Sequence, residues 1–192
     1  MRDETAALMA KTPQASHHTF YRDDGSLLDA AALAPLLTAA PHRLLFLAGA
    51  GNVLLAMAWW TFWLINTRWQ LAALPQLNIS AGWLHAFIMQ YQVLPSFIFG
   101  FLLTVFPRWM GLAPYTRWHY VPVGFGLMAG QALTLVSLFG FEHLLFLGLL
   151  LTLAGWLTGI FYLALLLWRE QQTTWHAISA FAALVLGLIG MG

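Results

Sequence analysis

The chain has 192 residues, of which 60% are hydrophobic, 15% aromatic and only 8% charged. A soluble domain averages about 25% charged residues, so this composition excludes an ordinary water-soluble fold. It predicts an all-α, polytopic transmembrane helix bundle surrounded by the lipid bilayer. The formal net charge is +1 and no basic stripe is present, which argues against nucleic acid as a partner.

The chain has no cysteine. This excludes disulfides, cysteine-ligated zinc, iron–sulfur clusters and covalent attachment of c-type haem. Any metal must therefore be held by histidine, methionine, carboxylate or backbone atoms.

Residues 1–43 are predicted to form a cytoplasmic tail. Asp23–Ser26 is a turn signal, and Leu27–Ala40 is predicted to form a short amphipathic helix. That helix is too short to cross a bilayer, so we expect it to lie at the interface or against the end of the bundle.

Residues 44–192 are predicted to form the transmembrane domain. Its five spanning helices are expected near residues 44–65, 82–106, 119–139, 144–168 and 175–192. The first span would be about 33 Å long, against a hydrocarbon core of roughly 30 Å. Because the last span is still apolar at Gly192, we expect the sequence to be a fragment of a longer chain.

The basic residues predict the orientation of the spans. The tail and the connections on its side carry Arg2, Lys11, Arg22, Arg43, Arg108, Arg117 and Arg169, whereas the other side carries Arg68. By the positive-inside rule the N-terminus lies in the cytoplasm. His85 is then near the outer face and His176 near the cytoplasmic face.

The second span is the most polar. Side chains of this kind at membrane depth are costly and need a partner, a cofactor or water. It carries His85, Gln90, Tyr91 and Gln92. Pro95 removes one backbone hydrogen bond and frees the carbonyl of Tyr91. The proline indicates either a kink that opens room for a ligand or an ordinary transmembrane proline.

His85, Met89 and Gln92 have the spacing of one α-helical face. Histidine and methionine remain ligands when neutral, so such a face is able to coordinate haem iron or copper. The alternative is a histidine that hydrogen bonds a neighbouring carbonyl, with Met89 serving as packing. His176, at the start of the fifth span, either lies at the interface without a role or faces the bundle and binds a cofactor.

Small residues in the spans are expected to permit close helix packing. They are Gly49, Gly51, Gly124, Gly126, Gly130, Gly148, Gly155 and Gly159. No span contains Asp or Glu, which argues against a proton-driven transporter that relies on buried carboxylates.

Four stretches resemble the NnrS family. Gly100–Trp109 resembles a Gly-Phe-Leu-Leu-Thr-x-x-Pro-x-Trp signature, and Leu84–Met89 occupies the place of a preceding Trp-His-Ala-His-Glu-Met pattern. His42–Leu47 resembles the start of that family's first helix. Trp175–Ala177 resembles a later Leu-His-Ala motif.

The resemblance implies a multi-pass protein of the bacterial inner membrane that contains haem b, with copper as a second candidate. It implies a role in the nitric oxide response and denitrification. His85 and His176 match family histidines and become candidate haem or metal ligands. Two departures weaken the assignment of the family's ligand roles to this chain, because Phe87 and Ile88 stand where the family has His and Glu.

We therefore predict an NnrS-like, haem-binding membrane protein, with two separate sites at His85 and His176 favoured over one shared haem. No reaction is assigned. One rival is a transporter or channel-like bundle in which Gln90, Gln92 and Gln131 line a polar path. Another is a cofactor-free assembly subunit that binds other membrane subunits.

Overall fold

The computed structural model describes residues 30–75, 79–169 and 175–191, and every regular element in these ranges is helical. The chain divides into two compact units, residues 1–36 and 37–192. Helix α1, Ala30–Leu37, falls mainly in the first unit. The predicted turn at 23–26 and the predicted start of that helix lie outside the described residues.

Four helices of the second unit are long and apolar enough to cross a membrane, which agrees with the predicted helical membrane bundle. They are α2 (Pro41–Trp69), α3 (Ala81–Trp109), α4 (Arg117–Ser137) and α5 (His143–Arg169). Helix α6, Trp175–Ile189, is also apolar but has 15 residues. The predicted fifth span extended to residue 192, whereas the helix stops where Gly190 and Met191 form a turn.

Helix α2 begins with Pro41 in its first turn, where the missing N–H costs no helical hydrogen bond. It continues to Trp69, four residues past the predicted end of the span, because hydrogen bonds within its polar last turn stabilise the helix there. The Thr67 hydroxyl donates to the Trp63 carbonyl at 2.9 Å. Gln70 then adopts a left-handed conformation and donates its N–H to the Asn66 carbonyl, which closes the helix.

Helices α4 and α5 approach each other through glycines. A Cβ added at Gly126 would lie 2.7 Å from the Gly155 Cα, and one at Gly130 would lie 2.9 Å from the Gly148 carbonyl oxygen. Backbone contact of this closeness is possible only for residues without side chains. The prediction that glycines serve helix packing is confirmed here.

Of the other glycines predicted to permit close helix packing, three lie against a neighbouring helix and one does not. Gly49 lies against the Phe97 ring, Gly124 against Leu45 and Gly159 against Phe99, as expected. The expectation for Gly51 is wrong, because a Cβ there would meet nothing within 4 Å. Gly51 faces away from the neighbouring helices, which the sequence spacing did not reveal.

Candidate functional site

Helix α3 changes its winding in the middle. Ala81–Phe87 is α-helical, Ile88–Val93 is a π-helix, and Leu94–Trp109 is α-helical again. Pro95 is the second residue after the π-helical segment and cannot donate a backbone hydrogen bond. A π-helix bonds five residues apart, and such segments are frequent at functional sites.

Side chains of α2, α5 and α3 itself donate hydrogen bonds to the carbonyls of this segment. The Trp156 indole N–H donates to the Tyr91 carbonyl at 2.9 Å. The Gln92 carbonyl accepts from the Asn52 amide at 3.3 Å and from the Ser96 hydroxyl at 3.1 Å. The bundle therefore supplies donors where the irregular backbone needs them, as a hydrocarbon environment requires.

Around the π-helical segment lies a set of polar side chains that we call the polar layer. All are at most 2% exposed, and they are Asn52, Gln92, Ser96, Gln131, Thr134, Ser137 and Thr152. The Gln92 side-chain amide donates to the hydroxyls of Thr134 and Thr152, both at 3.0 Å. Gln131 donates to the Asn52 carbonyl at 2.6 Å. The layer thus joins α2, α3, α4 and α5 by side-chain hydrogen bonds.

The three glutamines of the predicted polar path have different surroundings. Gln92 and Gln131 are fully buried, whereas Gln90 is exposed on the outside of the bundle. Among the described groups, the side-chain oxygens of Gln92 and Gln131 have no hydrogen-bond partner.

His85 lies nearer the start of α3, against α2. Its ring stacks on Trp60 with centroids 4.4 Å apart and planes 15° apart, and Trp60 stacks on Trp63 at 5.1 Å. We call these three rings the aromatic stack. The Nδ1 atom of His85 is enclosed and has no hydrogen-bond partner among the described groups. The ring is therefore held by packing, and one of its nitrogens lacks a bond.

A cleft of about 720 Å³ lies beside the aromatic stack. Trp59, Trp63 and Leu84 form part of its wall, together with the segment that follows α2. Asn66 fixes that segment, because its side chain accepts from the Ala72 N–H at 2.7 Å and donates to the Ala72 carbonyl at 3.0 Å. The cleft is thus bordered by aromatic rings on one side and by an anchored loop on the other.

Met89 is partly buried and packs against the apolar cluster that contains Ile88 and Trp59. The prediction placed His85, Met89 and Gln92 on one α-helical face. Met89 and Gln92 lie within the π-helical segment, whereas His85 precedes it, and the side chains of His85 and Gln92 reach different helices. His85 contacts Trp60 of α2, whereas Gln92 bonds to α4 and α5.

His176 is exposed at the start of α6. The Tyr91 hydroxyl donates to the Gly190 carbonyl at 2.9 Å, which fixes the end of α6 beside the middle of α3. These two helices run in opposite directions, since three reversals of the chain separate them. At 1.5 Å per residue, His85 lies about 9 Å from this contact towards one end and His176 about 21 Å towards the other. The structure does not bring the two histidines together.

The positions that depart from the family pattern are filled by apolar packing. The Phe87 ring lies 5.1 Å from that of Tyr91, and Ile88 is fully buried. Across residues 30–75, 79–169 and 175–191, no three side chains of the His, Cys, Asp and Glu types are grouped closely enough to hold a metal ion.

Sequence reasoning missed the partners of the π-helical segment. Asn52 is an amide within an apolar run, and Trp156 is an indole in the middle of a leucine-rich helix. Either side chain at membrane depth indicates that a hydrogen-bond partner is needed. The residue type does not indicate which group that partner is.

A family model described as NnrS protein matches residues 36–192. No curated protein and no solved structure matches the chain.

Proposed function

The chain belongs to the NnrS family, and we propose that it is a bacterial inner-membrane protein of the nitric oxide response that binds haem b through His85. Its N-terminus would lie in the cytoplasm, by the distribution of arginine and lysine. Copper is the second candidate cofactor.

The environment of His85 is the observation that carries the haem proposal. An imidazole inside a membrane protein normally bonds both of its nitrogens, because an unpaired polar atom away from water is costly. His85 is fixed against Trp60, yet its Nδ1 has no partner among the described groups. A rigid, neutral imidazole of this kind suits an iron ligand.

The surroundings of His85 also suit a flat, apolar cofactor. The neighbouring cleft of about 720 Å³ is lined by Trp59, Trp63 and Leu84 but not by His85 itself, and the two tryptophan rings would exclude water from one face of a macrocycle bound there. A bound haem would supply an iron that coordinates diatomic ligands such as nitric oxide. His85 would hold the iron, and the aromatic stack would keep the imidazole in place.

Copper fits the described residues less completely. His85 and Met89 would give two ligands from this chain, and a closed site needs further donors. His176 is far from both and would serve a separate site at the other end of the bundle.

The experiment is an absorbance spectrum of the protein purified in detergent, before and after dithionite, with metal analysis. We expect a Soret band that shifts on reduction and again on addition of nitric oxide. His85→Ala should lower the haem content about tenfold or more, because even the loss of an outer-shell partner typically lowers metal affinity by about 10- to 100-fold.

His143→Ala is the matched control, because His143 is an exposed histidine on the same side as His85. It should keep the full haem content, whereas His176→Ala reports whether a second site exists. A preparation with neither Soret band nor stoichiometric metal would refute the proposal. A partner protein that always co-purifies with it would then favour an assembly subunit, and substrate flux in proteoliposomes a transporter.

A further inference from the structure

A second cavity, of about 330 Å³, lies at the opposite end of the bundle from His85. It is formed where α3 ends, α4 begins and α5 ends. Its apolar wall consists of Leu112, Ala113, Pro114, Leu165 and Leu166. Its polar wall consists of Tyr115, His119, Tyr162 and Arg169. The cavity therefore combines an apolar floor with a cationic and aromatic edge.

The polar edge is built by contacts within the chain. The Tyr115 hydroxyl donates to the Tyr162 carbonyl at 2.7 Å, and the His119 ring stands edge-on to that of Tyr162 at 4.7 Å. His119 Nδ1 lies 2.8 Å from the Thr116 hydroxyl. Burial raises the pKa of Tyr115 to about 12, and the nearby charge of Arg169 acts in the opposite direction. The arginine charge is thus close to the tyrosine pair.

Tryptophans around the cavity indicate its depth in the membrane. Four of them at this end are between 63% and 85% exposed, namely Trp109, Trp118, Trp168 and Trp175. Exposed tryptophans of this kind mark the level of lipid headgroups. Arg108 and Arg117 lie at the same end. The cavity therefore opens where a phospholipid presents its phosphate.

We propose that this cavity binds an anionic phospholipid, whose phosphate is held by Arg169 and His119. A planar guanidinium pairs with phosphate oxygens through two hydrogen bonds, and basic pockets between membrane helices select anionic headgroups. Leu165 and Leu166 then contact the first methylenes of an acyl chain. A zwitterionic headgroup fits less well, because its own ammonium would face the Arg169 guanidinium.

The test compares lipid retention by native mass spectrometry and thermal unfolding in detergent, after addition of phosphatidylglycerol or phosphatidylcholine. We expect the wild type to retain phosphatidylglycerol preferentially and to unfold at a higher temperature with it. Arg169→Gln should weaken that retention about tenfold, the effect of losing one strong charge-assisted contact. His119→Gln should weaken it by a smaller factor.

Arg68→Gln is the matched control, because this substitution removes the same charge at the opposite end of the bundle from the cavity. There Arg68 lies over the Trp69 ring, at the end of α2. This variant should leave retention unchanged. Equal losses in the Arg68 and Arg169 variants, or equal retention of both lipids, would overturn the proposal. Stabilisation by inorganic phosphate equal to that by phosphatidylglycerol would also overturn it, in favour of a free-anion site. Circular dichroism of each variant confirms that the helices remain folded.

Discussion

A single indole nitrogen completes the hydrogen bonding of the most irregular backbone in the bundle. Pro95 and the π-helical segment leave the Tyr91 carbonyl without its usual α-helical donor, and the Trp156 N–H bonds to it at 2.9 Å. In hydrocarbon an unbonded carbonyl costs several kcal/mol, because no water can replace the lost partner. We infer that Trp156 is present for its N–H as well as for its packing against Phe99.

Trp156→Phe should lower the free energy of unfolding by about 1–3 kcal/mol, the usual effect of leaving a buried acceptor unsatisfied. The measurement is denaturant unfolding in detergent. Trp168→Phe is the control on the same helix, because its side chain is 85% exposed and it should change stability little.

A double-mutant cycle separates the hydrogen bond from the loss of volume. Pro95→Ala restores an N–H near the Tyr91 carbonyl, so Trp156→Phe should cost less in that background. Strictly additive effects would contradict a role for the indole N–H.

At the scale of elements, the seam between α4 and α5 holds two helices at backbone distance. Gly126 and Gly130 of α4 meet Gly155 and Gly148 of α5, and Thr134 and Thr152 join both helices to Gln92. Any side chain added at the seam would push the helices apart and lengthen the hydrogen bonds of the polar layer.

Gly130→Ala should destabilise the protein by about 1–3 kcal/mol, because its Cβ would lie against the Thr152 hydroxyl and the Gly148 carbonyl. Gly51→Ala is the control. Its Cβ meets nothing within 4 Å, so the better helix propensity of alanine should leave stability equal or slightly higher. Thermal unfolding in the same detergent measures both, and equal destabilisation would rule out the seam as the cause.

The sequence predicted the existence of the long apolar helices well, since length and hydropathy alone determine which segments can span a bilayer. It placed their ends less well, because the polar turn at Asn66–Trp69 is stabilised by local hydrogen bonds that hydropathy does not register. The seam glycines could be predicted from residue type, but the outward direction of Gly51 depends on how α2 is rotated against its neighbours.

The candidate site was predicted only in part. His85 was identifiable as a histidine in an apolar helix, but its stacking on Trp60 depends on the register between α2 and α3. The single face proposed for His85 and Gln92 assumed an unbroken α-helix. The sequence gives no direct signal for a π-helix, because its hydrogen bonds are one residue longer and the residue types in it are ordinary.

At the scale of the whole molecule, the two candidate binding sites lie at opposite ends of the bundle, because successive helices run in opposite directions. The aromatic stack with His85 lies at one end, and the cavity with His119 and Arg169 lies at the other. The predicted orientation places the first towards the outer face and the second towards the cytoplasm.

The natural absence of cysteine makes this orientation directly testable. Ala73→Cys and Ala113→Cys each introduce one exposed thiol, at opposite ends of α3. A membrane-impermeant maleimide should label the Ala73 variant in intact spheroplasts and the Ala113 variant only after permeabilisation. The reverse pattern would show that the orientation is opposite to the predicted one. Labelling of both variants in intact spheroplasts would contradict a membrane-spanning α3.

The π-helical segment has a consequence for how related chains should be aligned. Because its hydrogen bonds close over five residues instead of four, it accommodates one amino acid more than an α-helix with the same connections. Removing that extra residue would turn Ala81–Phe87 by about 100° relative to the rest of α3. The His85 half and the Gly100–Trp109 half are therefore in register with each other only through this insertion. An alignment with a related chain that lacks this extra residue would, without a gap within residues 88–93, pair one of the halves with the wrong helical face.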